Sequence, residues 1–273
     1  KIFTTGILLL VSAITALAQN GIVIFQTDFG TKDGAVSAMK GVASSVDASF
    51  KLYDLTHDIP AYNIWEAAYR LDQTVIYWPA GTVFVSVVDP GVGTTRKSVV
   101  VKTKSGHYIV TPDNGTLTLI AQSLGIDSIR EIDEVNNRRK NSGASYTFHG
   151  RDVYAYTAAR LAAKKIRFEQ VGAIVNSPVV SIAFQKASLQ DNQLKGTIAI
   201  LDIQYGNIWT NIDQSYWKKF TALAHSKNEI QVQIFKGKEL VYTGSMPFEN
   251  TFGGGGGNSF VDVFNPGNWK SPF

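Results

Sequence analysis

From Gly21 onward, short runs of β-branched and aliphatic residues alternate with amphipathic stretches, which predicts an α/β fold with a mostly parallel sheet flanked by helices. IVIFQTD is the first strand. GAVSAMKGVASSV reads as a helix packed through small and aliphatic residues, FKLYDLTHDI as the second strand, and NIWEAAYRLDQTV as a helix stopped by Pro79. TVFVSVVD follows as a strongly apolar strand. KSVVVKTKSGHYIVTPDNG predicts two β runs about a Ser-Gly turn, TLTLIAQSLG a helix ended by Gly125, and GRDVYAYTAARLAAKK the last helix of this part.

The stretch Gln185 to Lys195 has no periodicity and several polar residues, and is expected to be a linker. Beyond it GTIAILDI, NIWTNI, EIQVQIFKG and KELVYTG show near-alternating polarity, joined by turns such as Lys236-Gly237-Lys238, as in a small antiparallel barrel or sandwich. The glycine run Gly253 to Gly257 is either a flexible loop or a close approach of backbone to a ligand. The expected organisation is a leader over residues 1–18, an N-terminal α/β domain over 19–187 and a smaller, mostly β domain over 188–273.

The leader is read from its composition: one Lys, the apolar run GILLLVSAITALA, and small residues at Ala16 and Ala18 before Gln19. It predicts an exported, periplasmic or secreted protein. The apolar run is too short for a stable membrane anchor. The full chain of 273 residues is 44% hydrophobic and 18% charged, with a formal charge of +4 spread along it, so nucleic-acid binding finds no support. With no Cys, disulfides, thiolate nucleophiles and Cys-ligated metals are excluded, and only four His remain. Of these, His57, His107 and His225 read as structural or exposed.

Polar residues break the pattern where strands end. TDFGTKDG sets Asp28 after the first strand and Asp33 beside a helix start, where ligands of open α/β sheets sit; the plain alternative is that Asp33 caps the helix and Asp28 bonds the turn. VVDPGVGTTR delivers Asp89 from an apolar strand into a glycine loop, with Arg96 as the counter-charge such an acid needs, whether for chemistry or to steady the loop. TFHGRD places His149 just before a helix, with the side chain best suited to proton transfer near neutrality. DIQYGNIWTN carries Asp202, Tyr205, Asn207 and Trp209 about a Gly turn, where an amide can pair with a purine edge and an aromatic ring can stack on its face. PDNG at Pro112 to Gly115 reads as a turn.

Taken together, TDFGTKDGAVSAMKGV, VVDPGVGTTR, TPDNGTLT, TFHGRD and GNIWTNI, in that order, resemble the S-adenosyl-L-methionine hydroxide adenosyltransferases, relatives of fluorinating and chlorinating enzymes that use the same substrate. The resemblance implies an N-terminal α/β domain with a C-terminal β-barrel, and a homotrimer whose active sites lie between subunits. It implies a water-activating trio of Asp89, Arg96 and His149, with Asp28 on the ribose hydroxyls and Asp33 near the methionine ammonium. Asn207 and Tyr205 would sit at the adenine, Asp202 and Ser259 near the methionyl end. The implied reaction is attack of water on the ribose 5′ carbon, giving adenosine and L-methionine, with no metal and no cofactor. The halogenating relatives carry Tyr where Asp89 stands, so a halide nucleophile is disfavoured. The other alternative is a non-catalytic adenosyl-ligand binding protein of the cell envelope.

Overall fold

A computed structural model describes residues 20–89, 91, 93–144, 147–202, 207–223 and 229–247. The expected leader, Tyr205, His225, the Gly253 to Gly257 run and Ser259 lie outside the described residues. Two compact units divide after Ser181. No helix among the described residues is long and apolar enough to cross a membrane.

The first unit is built on a six-stranded sheet. Its strands are β1 (Ile22–Thr27), β2 (Lys51–Thr56), β3 (Val83–Val87), β4 (Ser98–Thr103), β5 (Tyr108–Pro112) and β6 (Ile126–Glu131), in the order β2-β1-β3-β5-β4-β6. The pairs β1–β2, β1–β3 and β3–β5 are parallel, whereas β4 runs antiparallel to both β5 and β6. The reversal follows from the four-residue connection Lys104 to His107, since a short turn can join only antiparallel neighbours.

Side chains alternate across the sheet, so strands β1 to β5 feed two cores, one on each face. Val23 and Phe25 pack with Val83, Val85 and Val110 on one face, under helix α1 (Ala35–Val46) and the last α-helix of the unit. Ile24, Phe84 and Ile109 pack on the other, with Leu71 of α2 (Ile64–Val75) and Ile120 of α3 (Thr118–Ser123). In α1 the buried residues Val36, Met39, Val42 and Ala43 fall at helical spacing, and in α2 Asn63 caps the helix by accepting the Glu66 N–H at 3.1 Å. Leu71 is fully buried, and its truncation to Ala would cost about 2–5 kcal/mol.

The last α-helix of this unit opens as a π-helix over Gly150–Ala155 and continues as α5 (Tyr156–Ala162), after the one-turn α4 (Glu134–Asn137). Pi-helical turns are uncommon and recur at functional positions; here His149 stands immediately before one.

In the second unit the described strands form three separate antiparallel pairs, and closure into the expected barrel is not among them. They are β7 (Ser188–Gln190) with β8 (Gln193–Lys195), β9 (Ile198–Asp202) with β10 (Asn207–Thr210), and β11 (Glu229–Lys236) with β12 (Glu239–Pro247). The expected linker thus contains a hairpin. An amphipathic helix, α6 (Gln214–Leu223), stands between the second and third pairs.

Candidate active site

Strands β1 and β3 are parallel neighbours in register, with Thr27 opposite Val87, so the residues that follow them emerge at the same edge of the sheet. Asp28 follows β1 directly and Asp89 lies two residues beyond β3. This edge, at the carboxyl ends of parallel strands, is where open α/β sheets hold ligands. A cleft of about 490 Å3 opens there, lined by Phe29, Asp33, Val87, Asp89, His149 and Gly150 among others.

The Asp89 side chain is fully buried, a position tolerable for a carboxylate only with compensation. Compensation comes from two directions. Oδ2 lies 3.1 Å from Arg96 Nε, and Oδ1 accepts the Gly91 N–H at 2.7 Å. The loop between them needs its glycines. A Cβ on Gly91 would stand 3.0 Å from Nε and Nη2 of Arg96, and one on Gly93 would stand 2.8 Å from Cε1 of His149. Gly93 therefore lies directly against the His149 ring, which brings the loop of Asp89 and Arg96 and the helix of His149 together at the cleft.

Each arm of this cluster is anchored behind. The Asn114 side chain donates to the Val88 carbonyl at 2.9 Å, just before Asp89, while its own oxygen accepts from Thr116 Oγ1 at 2.7 Å and from the Thr116 N–H at 3.1 Å. Ser98 Oγ and Tyr154 Oη hydrogen-bond at 2.8 Å, tying β4 to the π-helix; burial pushes the Tyr154 phenol far above its ordinary range, so it stays protonated. His149 is 2% exposed, and its Nε2 lies 3.0 Å from Arg138 Nη2. Arg138 in turn pairs with Glu134 Oε2 at 2.5 Å.

Asp28 accepts the Tyr62 N–H at 2.9 Å, with Tyr62 in the left-handed region at φ 64, a conformation that costs a non-glycine residue about 1–3 kcal/mol. Asp33 Oδ1 accepts the Ala35 N–H at 2.8 Å at the start of α1, whose N-cap residue is Gly34, and Asp33 also lines the cleft. His57 is structural. Its Nε2 meets Asp54 Oδ1 at 2.9 Å and Nδ1 meets Thr27 Oγ1 at 2.8 Å, bracing the end of β1. His107 is likewise engaged, with Nε2 at 2.8 Å from the Trp78 carbonyl and Nδ1 at 2.9 Å from Ser105 Oγ.

In the second unit Asp202 and Asn207 face each other across β9 and β10, and Asp202 Oδ2 accepts from Trp209 Nε1 at 3.3 Å. The structure thus lines one cleft with Asp33, Asp89 and His149, holds Arg96 against Asp89, and sets Asp28 on the same sheet edge. Tyr62, Asn114, Glu134 and Arg138 were not singled out by sequence. Asn114 carried a signal within PDNG, but one that a simple turn also explains. Glu134 and Arg138 sit in a polar stretch indistinguishable from a solvated surface.

Residues 23–172 match the family model of the SAM hydroxide adenosyltransferase N-terminal domain. The chain is 46% identical over 144 residues to the (R)-S-adenosyl-L-methionine hydrolase of Methanocaldococcus jannaschii, covering 51% of this chain and 52% of that protein. It is 42% identical over 147 residues to the hydrolase of the same name from Salinispora arenicola, covering 54% and 55%. The chain therefore spans about half the length of these hydrolases. A fluorinase from Actinopolyspora mzabensis is 30% identical over 218 residues, covering 70% of this chain and 71% of the enzyme. Among solved structures, an uncharacterized conserved protein from Thermotoga maritima superposes with a TM-score of 0.73 at 34% identity, covering 85% of this chain and 84% of the other. The chain belongs to the S-adenosyl-L-methionine hydroxide adenosyltransferase family, and residues 23–172 are its match to that family's N-terminal domain.

Proposed function

We propose that this protein hydrolyses S-adenosyl-L-methionine, with water attacking the ribose 5′ carbon in line with the carbon–sulfur bond. A new C5′–O bond forms as C5′–S breaks. The sulfonium takes the bonding pair and leaves as the neutral thioether of methionine, and the attacking water gives up one proton. The products are adenosine, L-methionine and a proton. A departing sulfonium needs no proton and no Lewis acid, so the work of catalysis is to align water and ease its deprotonation.

The observation that carries this reading is the buried Asp89, paired with Arg96 at 3.1 Å on a loop whose Gly93 abuts His149, with Asp89 and His149 lining one cleft at the strand ends. A carboxylate held by a guanidinium beside an imidazole suits orientation of a water molecule. It suits a halide poorly, because an anion beside Asp89 would be repelled. The names of the two hydrolase relatives agree with water as nucleophile.

In this reading Asp28 takes the ribose hydroxyls and Asp33 stands near the methionine ammonium. Asn207 and Tyr205 contribute at the adenine, with Asp202 and Ser259 towards the methionyl end. The assembly is a homotrimer with active sites between subunits, and the protein is exported behind its N-terminal leader. Incubation with S-adenosyl-L-methionine, followed by chromatography, is expected to yield adenosine and methionine in equal amounts. Asp89→Ala and His149→Ala are each expected to slow turnover by about 100-fold or more while substrate still binds in calorimetry. Binding without adenosine release in the unaltered protein would overturn the hydrolytic reading in favour of an adenosyl-ligand binding protein. Full turnover in both variants would remove the trio from the mechanism.

A further inference from the structure

Nε2 of His149 faces Nη2 of Arg138 at 3.0 Å. A guanidinium has donors only, so the ring nitrogen opposite it must be the acceptor and carries no proton. A neutral imidazole has one N–H, which is then at Nδ1. Both side chains are buried, His149 at 2% and Arg138 at 9% exposure, so the pair is not one that bulk water readily separates. Glu134 Oε2 holds the same Nη2 at 2.5 Å and lies 3.7 Å from the ring nitrogen, so one guanidinium nitrogen bridges carboxylate and imidazole.

The backbone that presents Arg138 is anchored on both flanks to the helix that begins beside His149. Thr157 Oγ1 donates to the Asn137 carbonyl at 3.0 Å. The Arg139 N–H donates to the Asp152 carbonyl at 2.8 Å, and Arg139 Nε to Asp152 Oδ1 at 2.9 Å. Arg138 and His149 are thereby held in one rigid frame.

We infer that Arg138, braced by Glu134, is a positioning residue that fixes His149 in the Nδ1–H tautomer, an inference that rests on the proposed hydrolysis for its kinetic consequence. It narrows the chemistry. Arg96 cannot accept a proton, and the bare nitrogen of His149 is occupied by Arg138. Asp89 accepts the Gly91 N–H at Oδ1, while its Oδ2 is ion-paired with Arg96 but accepts no hydrogen bond within the described residues, and it is the member of the trio left to receive the proton from water.

The test is long-range 1H–15N correlation spectroscopy on the full chain labelled with 15N-histidine, with His149→Gln assigning the signal. The expected wild-type spectrum has the proton of His149 on Nδ1. Arg138→Met is expected to shift the ring towards Nε2–H, and Arg138→Lys, which keeps a donor, to preserve Nδ1–H. In kinetics, Arg138→Met is expected to lower kcat by about 10-fold or more with KM unchanged, and Arg138→Lys to recover most of the loss. A wild-type ring protonated at Nε2, or a tautomer unmoved in Arg138→Met, would overturn the inference. If Arg138→Met does not fold, the wild-type and Arg138→Lys spectra still decide. Because the tautomer is read without turnover, a protein that forms no adenosine would count against the hydrolysis alone, and a wrong tautomer in an active enzyme against this inference alone.

Discussion

Gly93 turns the chain at φ 80 with its α-carbon facing the His149 ring, so a single methyl group there meets two obstacles at once. The backbone conformation is strained for an L side chain, and the Cβ would lie 2.8 Å from Cε1. Gly93→Ala is therefore expected to displace the ring from Asp89 and to reduce kcat by about 100-fold, the scale of a catalytic group shifted by about an ångström. A circular dichroism spectrum like that of the parent would show that the loss is local. Wild-type kcat in this variant would mean that the loop and ring need not touch. At this scale the sequence was informative about residue type: Asp89, Arg96 and His149 could be picked out by their places at strand and helix ends. It was silent on Tyr62, because nothing in Pro-Ala-Tyr-Asn announces a left-handed tyrosine. It was equally silent on Glu134 and Arg138, because charges four apart in a polar run are ordinarily solvated.

Elements hold these residues through a few buried polar ties. Asn114 joins the turn after β5 to the end of β3, and Asn114→Ala would leave the Val88 carbonyl buried without that donor. The expected cost is about 1–3 kcal/mol, read as a lower midpoint in urea with an unchanged slope. A second tie is Asp152, fully buried between Arg139 and Arg151. Burial alone would raise its carboxyl, but the hydrogen bonds and charges of Arg151 and Arg139 outweigh it and hold the group below its ordinary 3.8. Because the folded-state value is the lower one, this contribution to stability is complete above 3.8 and is lost as pH falls through the folded value. Thermal unfolding followed from neutral to strongly acid solution should therefore show a loss below 3.8 that Asp152→Asn diminishes, while that variant is weaker by about 3 kcal/mol at neutral pH. An equally steep acid limb in Asp152→Asn would assign the loss to other carboxylates.

Most elements of the first unit were legible because a sheet covered on both faces demands long apolar runs. β6 escaped notice as an edge strand with a single buried residue, Ile129. The hairpin of β7 and β8 escaped because its polarity suggested a linker. Its signal was the dipeptide Asp191-Asn192, both residues at positive φ, 50 and 59, as a two-residue turn of the hairpin kind requires. Helix α6, not among the elements expected from the sequence, has Tyr216, Trp217 and Phe220 at helical spacing, which was the signal to find it.

For the whole molecule, the groups assigned to water activation lie in the first unit, and Asp202 and Asn207 in the second. If active sites join the first unit of one chain to the second unit of a neighbour, chains carrying Asp89→Ala and chains carrying Asn207→Ala, each inactive alone, will regain turnover when refolded together. No recovery would indicate sites built within single chains. Chelation by EDTA is expected to leave the rate unchanged, since no step is assigned to a metal; a rate abolished by EDTA and restored by a divalent ion would require a different mechanism. The parallel register of β1 and β3 has a consequence of its own. Neighbouring strands stand about 4.8 Å apart, so the offset between Asp28 and Asp89 is set by the hydrogen-bond ladder rather than by either side chain. Under the proposed hydrolysis, descendants of this chain could exchange the acid for another nucleophile-handling group while the backbone kept the same ruler between Asp28 and position 89, which would confine innovation to what attacks and leave where it attacks unaltered.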